Sequence, residues 1–242
     1  MATEDSGSVM STSQIHKLGE RLAAGEPSKD DLERLDQYRR SFGPAYDVVK
    51  RALIDELGLP LSGRPQKTTE SIIAKIQRER TSLPRMQDIS GCRIVLPELV
   101  DQDTVVARIC ERFPGSRIID RRARPSNGYR AVHVIVKASG RPIEVQVRTS
   151  LQDGWAQLSE KLSDIVGIDV KYGGGPDSAR ELLSRSSEVM GGLERLEREV
   201  AVMDRNDPKY KEASVQLSSN KGTLATLIQE ALRTLDEMRR VR

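Results

Sequence analysis

Histidine and cysteine are nearly missing from this chain: among 242 residues there are two of each, His16 and His133, Cys92 and Cys110. Two imidazoles this far apart exclude a histidine-rich metal centre, and two thiols without ligand-like spacing exclude a zinc cluster or a disulfide framework. Both cysteines sit in apolar surroundings and read as buried thiols of a cytosolic protein. Aromatic residues reach only 3%, so any core must be aliphatic. No apolar run of about 18 residues occurs, and the opening MATEDSGSVMSTS lacks the basic-then-apolar order of a signal peptide. The expectation is a cytoplasmic chain without a membrane span.

Charge of one sign is not in excess overall, since the net charge is +3, but it is unevenly placed. Between Arg117 and Arg148 there are eight Arg or Lys residues against two acids, Asp120 and Glu144. Such a strip is either a solvated face or a lining for phosphate groups.

The first half of the chain has helical spacing. A short helix is expected from Ser13 to Ala24, and Ser28 with Asp30 and Asp31 behind it marks a second start. Leu32, Leu35, Tyr38, Tyr46, Val49, Leu53 and Leu57 continue the spacing, broken or bent at Gly43 and Pro44. Gly58 to Pro65 reads as a turn. Thr68 or Thr69 then caps a helix through SIIAKIQRER, which presents Ile72, Ile73 and Ile76 to a core. Beyond it the period shortens. GCRIVLP, SRIID, AVHVIVKA and IEVQVRT read as strands, DQDTVVARICERF reads as an amphipathic helix, and Ser139 to Pro142 joins the last two strands as a hairpin. SLQDGWAQLSEKLSDIV forms a helix capped by Ser150, KYGGGPDS interrupts, and two helices separated near Asp204 to Pro208 complete the chain. Their stripes include Leu182, Leu183, Val189, Leu193 and Val200 on one, and Leu217, Leu224, Leu227, Ile228 and Leu232 on the other. These helices either wrap the domain or support a homo-oligomer. The expected fold is α+β, a mixed β-sheet flanked by helices, with a helical region at 1–57, a catalytic domain at 58–168 and a helical extension at 169–242.

Asp88 precedes one strand and Glu144 opens another. Carboxylates so placed either share a divalent cation that polarises phosphate oxygens or face solvent at strand edges. Alternation along EVQVRT puts Glu144, Gln146 and Arg148 on one face and Val145 and Val147 on the other. His133 lies on a neighbouring strand, as a structural residue or a member of the same polar row. In RARPSNGYR, Asn127-Gly128 is a turn signal. Tyr129 either covers a sheet edge or stacks on a base, while Arg121, Arg122 and Arg124 match phosphate geometry. Lys67, Lys75 and Arg93 extend the cationic lining.

The fragments KTTESIIAKI, DISGCRI, NGYRAVH and EVQVRTSLQDGWA, in that order, resemble the synthetase signatures of RelA/SpoT homologues, of the small alarmone synthetase type, with a nucleotidyltransferase-like synthetase domain. The resemblance covers Lys67 to Lys161. It implies transfer of the β,γ-pyrophosphate of ATP to the 3′-hydroxyl of GDP or GTP, giving (p)ppGpp, with Mg2+ as cofactor. By resemblance Asp88 and Glu144 are the catalytic and magnesium-binding acids. Arg64, Lys67, Ser71, Lys75 and Arg93, with the loop arginines Arg121, Arg122 and Arg124, serve the ATP phosphates. Tyr129, His133, Gln146 and Arg148 serve the acceptor, with the Tyr129 ring stacked on guanine. The chain departs from the family pattern at Pro65, Pro125, Ser159 and Glu160. A toxin-like member acting on tRNA 3′ ends or adenosine nucleotides, with an antitoxin as partner, is one alternative, and an inactive nucleotide-binding regulator is another. With two histidines, the alarmone-hydrolase centre of long relatives is not expected, and neither is their regulatory tail.

Overall fold

The computed structural model describes residues 10–63 and 66–240. Its order is α1 (Thr12–Ala23), α2 (Lys29–Arg40), α3 (Gly43–Arg51), β1 (Leu61–Ser62), α4 (Thr69–Glu79), β2 (Gly91–Leu96), α5 (Leu99–Arg112), β3 (Arg117–Asp120), β4 (Val132–Ala138), β5 (Arg141–Thr149), α6 (Ser150–Val166), α7 (Asp177–Ala201) and α8 (Pro208–Arg240). The five strands form one mixed sheet in the order β1-β2-β5-β4-β3, which makes the fold α+β.

The sequence explains most boundaries. The Ser28 hydroxyl accepts a hydrogen bond from the Asp31 N–H, and the Ser28 N–H donates to the Asp31 carboxylate, so α2 starts with a capping box. Thr68, rather than Thr69, caps α4 through the Ser71 N–H. The cap of α6 is Thr149 and not Ser150: Thr149 keeps the extended backbone of β5 (ψ 164°), which is the conformation an N-cap requires, and pairs reciprocally with Gln152. The region expected to be only a turn contains β1, which pairs antiparallel with β2, Leu61 opposite Ile94 and Ser62 opposite Arg93. The β4–β5 hairpin is tighter than expected. Ser139 and Gly140 alone make the turn, both at positive φ (46° and 72°), as the right-handed twist of a two-residue hairpin demands.

The chain divides into two compact units. The first runs to Ile94 and adds Arg108–Arg117 and Val134–Gln146; the second comprises Val95–Ala107, Ile118–His133 and Val147–Arg242. In the first, Leu18, Leu22, Leu35, Phe42, Leu53, Ile72, Ile76, Leu83, Ile89, Ile94, Ile143 and Val145 are buried. Ile73 is only half-buried, and Leu32 is exposed because α2 turns it away from that core. In the second, Trp155, Leu158, Leu162, Leu183, Met190, Leu193, Leu217, Leu224, Ile228 and Leu232 form an aliphatic cluster around a single indole. The expected stripes of α7 and α8 are broader than this core can absorb. Leu182, Val189 and Leu227 are 45%, 54% and 56% exposed and line an apolar groove of about 530 Å3 among α6, α7 and α8. Among the described residues no helix is long and apolar enough to cross a membrane.

Candidate active site

In the first unit, the segment before α4 is clipped to the segment before β2 by the Lys67 N–H, which donates to the Ile89 carbonyl at 2.8 Å. That clip brings Lys67, and Lys75 from the middle of α4, to one carboxylate: both ammonium groups donate to Asp88 Oδ2, at 2.7 and 2.8 Å. Burial by itself would raise the Asp88 pKa. The charges of Lys67 and Lys75 outweigh it and hold the carboxyl below its ordinary range. For Lys75 the balance is the mirror image: burial disfavours its charge, but Asp88, together with Glu79 and Glu144, raises its pKa. The second oxygen, Asp88 Oδ1, is buried and has no hydrogen-bond partner among the described residues. An ionised oxygen left so is costly unless a ligand satisfies it.

Glu144 lies on β5, where its N–H donates to the Ser90 carbonyl at 3.1 Å and its Oε2 accepts from Gln146 Nε2 at 2.7 Å. The two residues share a strand face, as the alternation requires. Gly91 makes room for that strand. A Cβ at position 91 would come within 2.5 Å of the Glu144 carbonyl oxygen and 3.3 Å of the Glu144 Cβ. Arg93 is half-buried on β2. The Ser71 hydroxyl accepts from Thr68 Oγ1 at 2.9 Å in the first turn of α4.

A separate cluster occupies the second unit. Arg148 is 4% exposed and does not stand in the open polar row with Glu144 and Gln146, because Asp153, one turn into α6, takes its Nη1 at 2.9 Å. Its Nη2 donates to the Tyr129 hydroxyl at 3.0 Å, and its guanidinium carbon lies 5.2 Å from the centre of the Tyr129 ring. The same hydroxyl meets His133 Nε2 at 2.9 Å, with the two rings edge to face. Asp153 carries this arrangement although no periodicity singles it out; its place in QDGWA, five residues after Arg148, was the available signal.

The loop arginines separate. The Arg122 guanidinium is tied to Asp120, Asp103 and Gln102 with only 9% of the side chain exposed. Burial would lower its pKa, but the two carboxylates raise it. Arg121 is half-buried and Arg124 exposed. Arg64 lies outside the described residues. Among the described residues no group of three His, Cys, Asp or Glu side chains could hold a metal unaided.

An α+β domain that gathers two lysines on a desolvated carboxylate, beside a strand that presents a glutamate, is equipped to handle phosphate groups. Residues 63–170 match the model of the region found in RelA/SpoT proteins. An uncharacterised protein of Mycobacterium tuberculosis is 32% identical over 142 residues, 56% of this chain and 52% of its own length. A GTP pyrophosphokinase of Haemophilus influenzae is 33% identical over 100 residues, 40% of this chain and 13% of its own. Among solved structures, small alarmone synthetase 1 from Bacillus subtilis, bound to its product pppGpp, superposes with a TM-score of 0.52 at 24% identity, over 69% of this chain and 99% of its own. That likeness establishes the fold. Residues 63–170 thus carry a RelA/SpoT-type region. It spans about half the length of the first curated relatives it matches.

Proposed function

We propose that this chain transfers the β,γ-pyrophosphate of ATP to the 3′-hydroxyl of GDP or GTP, making (p)ppGpp and releasing AMP. One observation carries the reading: a half-buried carboxylate, kept ionised by Lys67 and Lys75, whose buried Oδ1 has no hydrogen-bond partner among the described residues. Lys67, beside the capped end of α4, and Lys75, from its middle, suit the phosphates of a nucleoside triphosphate, and Arg93 and Ser71 add donors. Such transfer asks little covalent work of a protein; it needs alignment and charge neutralisation. When a triphosphate enters, Lys67 and Lys75 exchange part of their hold on Asp88 for phosphate oxygens.

The donor set also fits magnesium, a hard cation that takes one or two carboxylates and completes its shell with water and substrate phosphates. Asp88, through its unpartnered oxygen, and Glu144 would hold it, and the ion would supply neutralisation of the charge developing on the phosphates. Glu144 receives the proton of the attacking hydroxyl, with Gln146 fixing the orientation of its carboxylate. Tyr129 receives the purine of the acceptor on its ring, supported by Arg148. Arg122, tied by Asp120 and Asp103, is excluded from direct phosphate contact in this reading, whereas Arg121 and Arg124 remain in it. The exposed apolar residues of α7 and α8 support self-association.

The test is incubation of the purified chain with γ-labelled ATP, magnesium and, separately, GDP, GTP, AMP and deacylated tRNA. Label appearing in a tetra- or pentaphosphate of guanosine is the expected result. Label on tRNA or on an adenosine nucleotide alone would replace the acceptor. No transfer to any of the four would overturn the proposal.

A further inference from the structure

Helix α7 contains Gly191-Gly192 in its interior, where each glycine costs about 1 kcal/mol relative to alanine. The first of the two has a structural use. A Cβ at position 191 would come within 3.1 Å of Arg130 Nη1, so the guanidinium of Arg130 lies directly against the helix there. It donates through Nε and Nη2 to Glu194 Oε2, at 3.0 and 2.6 Å, and through Nη2 to the Arg122 carbonyl at 2.7 Å. Glu194 is 4% exposed, and its other oxygen accepts from Gln152 Nε2 at 2.8 Å. The carboxylate is thereby fixed to α6 as well.

On the other side of Tyr129, the Ser187 hydroxyl donates to the Gly128 carbonyl at 2.7 Å. Gly128 has φ +86°, which an L side chain rarely adopts, and a Cβ there would come within 2.7 Å of the indole of Trp155. Trp155 is held in turn by α7, since its Nε1 donates to the Leu183 carbonyl and to Ser186 Oγ, both at 3.0 Å. Ser187, Gly191 and Glu194 follow the i, i+4, i+7 spacing of a single helix face. Both chain neighbours of Tyr129 are therefore gripped by one face of α7.

We propose that this face of α7 is the seat of the Tyr129 loop, with Ser187 and Glu194 as positioning residues that set the pose of the ring receiving the acceptor purine. The purine rests on the function proposed above; the seat does not. Ser187 and Glu194 touch no substrate in this scheme and act through Gly128 and Arg130.

The test uses the full chain with Ser187→Ala, Ser187→Thr and Glu194→Gln. Trp155 is the only tryptophan, so acrylamide quenching of its emission, measured without nucleotide, reports the seating of Gly128 against the indole. Ser187→Ala should increase quenching. It should raise the acceptor KM by about 3- to 10-fold, the effect of one hydrogen bond, while the ATP KM stays within about twofold. Ser187→Thr, which keeps the hydroxyl, should restore both. Glu194→Gln should act in the same direction and more strongly, because a buried guanidinium loses its counter-charge; should it fail to fold, the serine pair still decides. Unchanged quenching in Ser187→Ala would overturn the seat whatever the acceptor, and so would an equal rise in both KM values. Increased quenching in a protein whose wild type uses neither GDP nor GTP would support the seat and remove the guanine assignment.

Discussion

Asp88→Asn isolates the charge at the centre of the proposed phosphate site with almost no change of shape. In the wild type one carboxylate oxygen serves two ammonium groups at 2.7 and 2.8 Å, and the three side chains are 18–23% exposed. Removing one partner from a fully buried ion pair costs about 3–5 kcal/mol. With this residual exposure we expect about 2 kcal/mol, as Lys67 and Lys75 are left facing one another, and a fall in Tm of roughly 4–8 °C. The pH dependence fixes the sign. The folded-state pKa of Asp88 is depressed, so its stabilising contribution is complete above the ordinary carboxylate range and is lost as pH falls through the depressed value. The stability gap between wild type and Asp88→Asn should be constant at neutral pH and close below about pH 4. Pyrophosphoryl transfer, assayed with labelled ATP at saturating magnesium, should fall by at least about 100-fold. Full transfer by the folded variant would refute the catalytic assignment, and a stability gap that persists undiminished to pH 2 would refute the ion-pair reasoning.

Glu144→Gln should likewise reduce transfer about 100-fold or more while leaving Tm nearly unchanged, as measured by the same assay beside a thermal melt. Tyr129→Ala should raise the acceptor KM about tenfold through the lost base stack. Tyr129→Phe keeps the ring but removes the hydroxyl that meets both Arg148 and His133; it should cost about 1–3 kcal/mol of stability with a smaller change in acceptor KM, and Phe as damaging as Ala in kinetics would shift the role to the hydroxyl. Burial, with the charge of Glu144 nearby, pushes the Cys92 thiol up to about 12, so maleimide or disulfide reagents at pH 8 should label the half-buried Cys110 first and Cys92 only on denaturation, read by intact mass. Sedimentation at micromolar concentration should show an oligomer that Val189→Glu with Leu227→Glu dissociates; a wild-type monomer would remove self-association.

The sequence shows most clearly the parts of the molecule whose physics is local. β4 and β5 were legible because β-branched residues at period two leave few alternatives, and Ser28 and Thr68 announce their helices by cap chemistry. Thr149 and Ser150 are adjacent hydroxyls, and only the extended backbone at the end of β5 decides between them. The stripes of α7 and α8 could not reveal that Leu182, Val189 and Leu227 would be left outside the core, since spacing places residues on a face without saying how much of that face meets a neighbour. A census of arginines marked a basic strip, yet Arg122 is neutralised by Asp120, two residues away, and by Asp103 from α5. The pairing of Arg130 with Glu194 joins elements 64 residues apart, so charge patterning along the chain gave no hint of it. The convergence of Lys67 and Lys75 on Asp88 was visible only as three separate charges.

The close approach at Gly91 bears on how far this chain could be altered by laboratory selection. Gly91→Ala is among the smallest changes available, yet its methyl group would need the space of the Glu144 carbonyl. Relief requires β5 to move away from β2, carrying the Glu144 carboxylate with it. Tuning of acceptor preference by random mutagenesis should therefore recover substitutions on the Tyr129 loop and on the face of α7 that seats it, and almost none at position 91. A library sequenced before and after selection for transfer would show glycine retained there at a frequency close to that of Asp88 itself, even though Gly91 offers no functional group to the reaction.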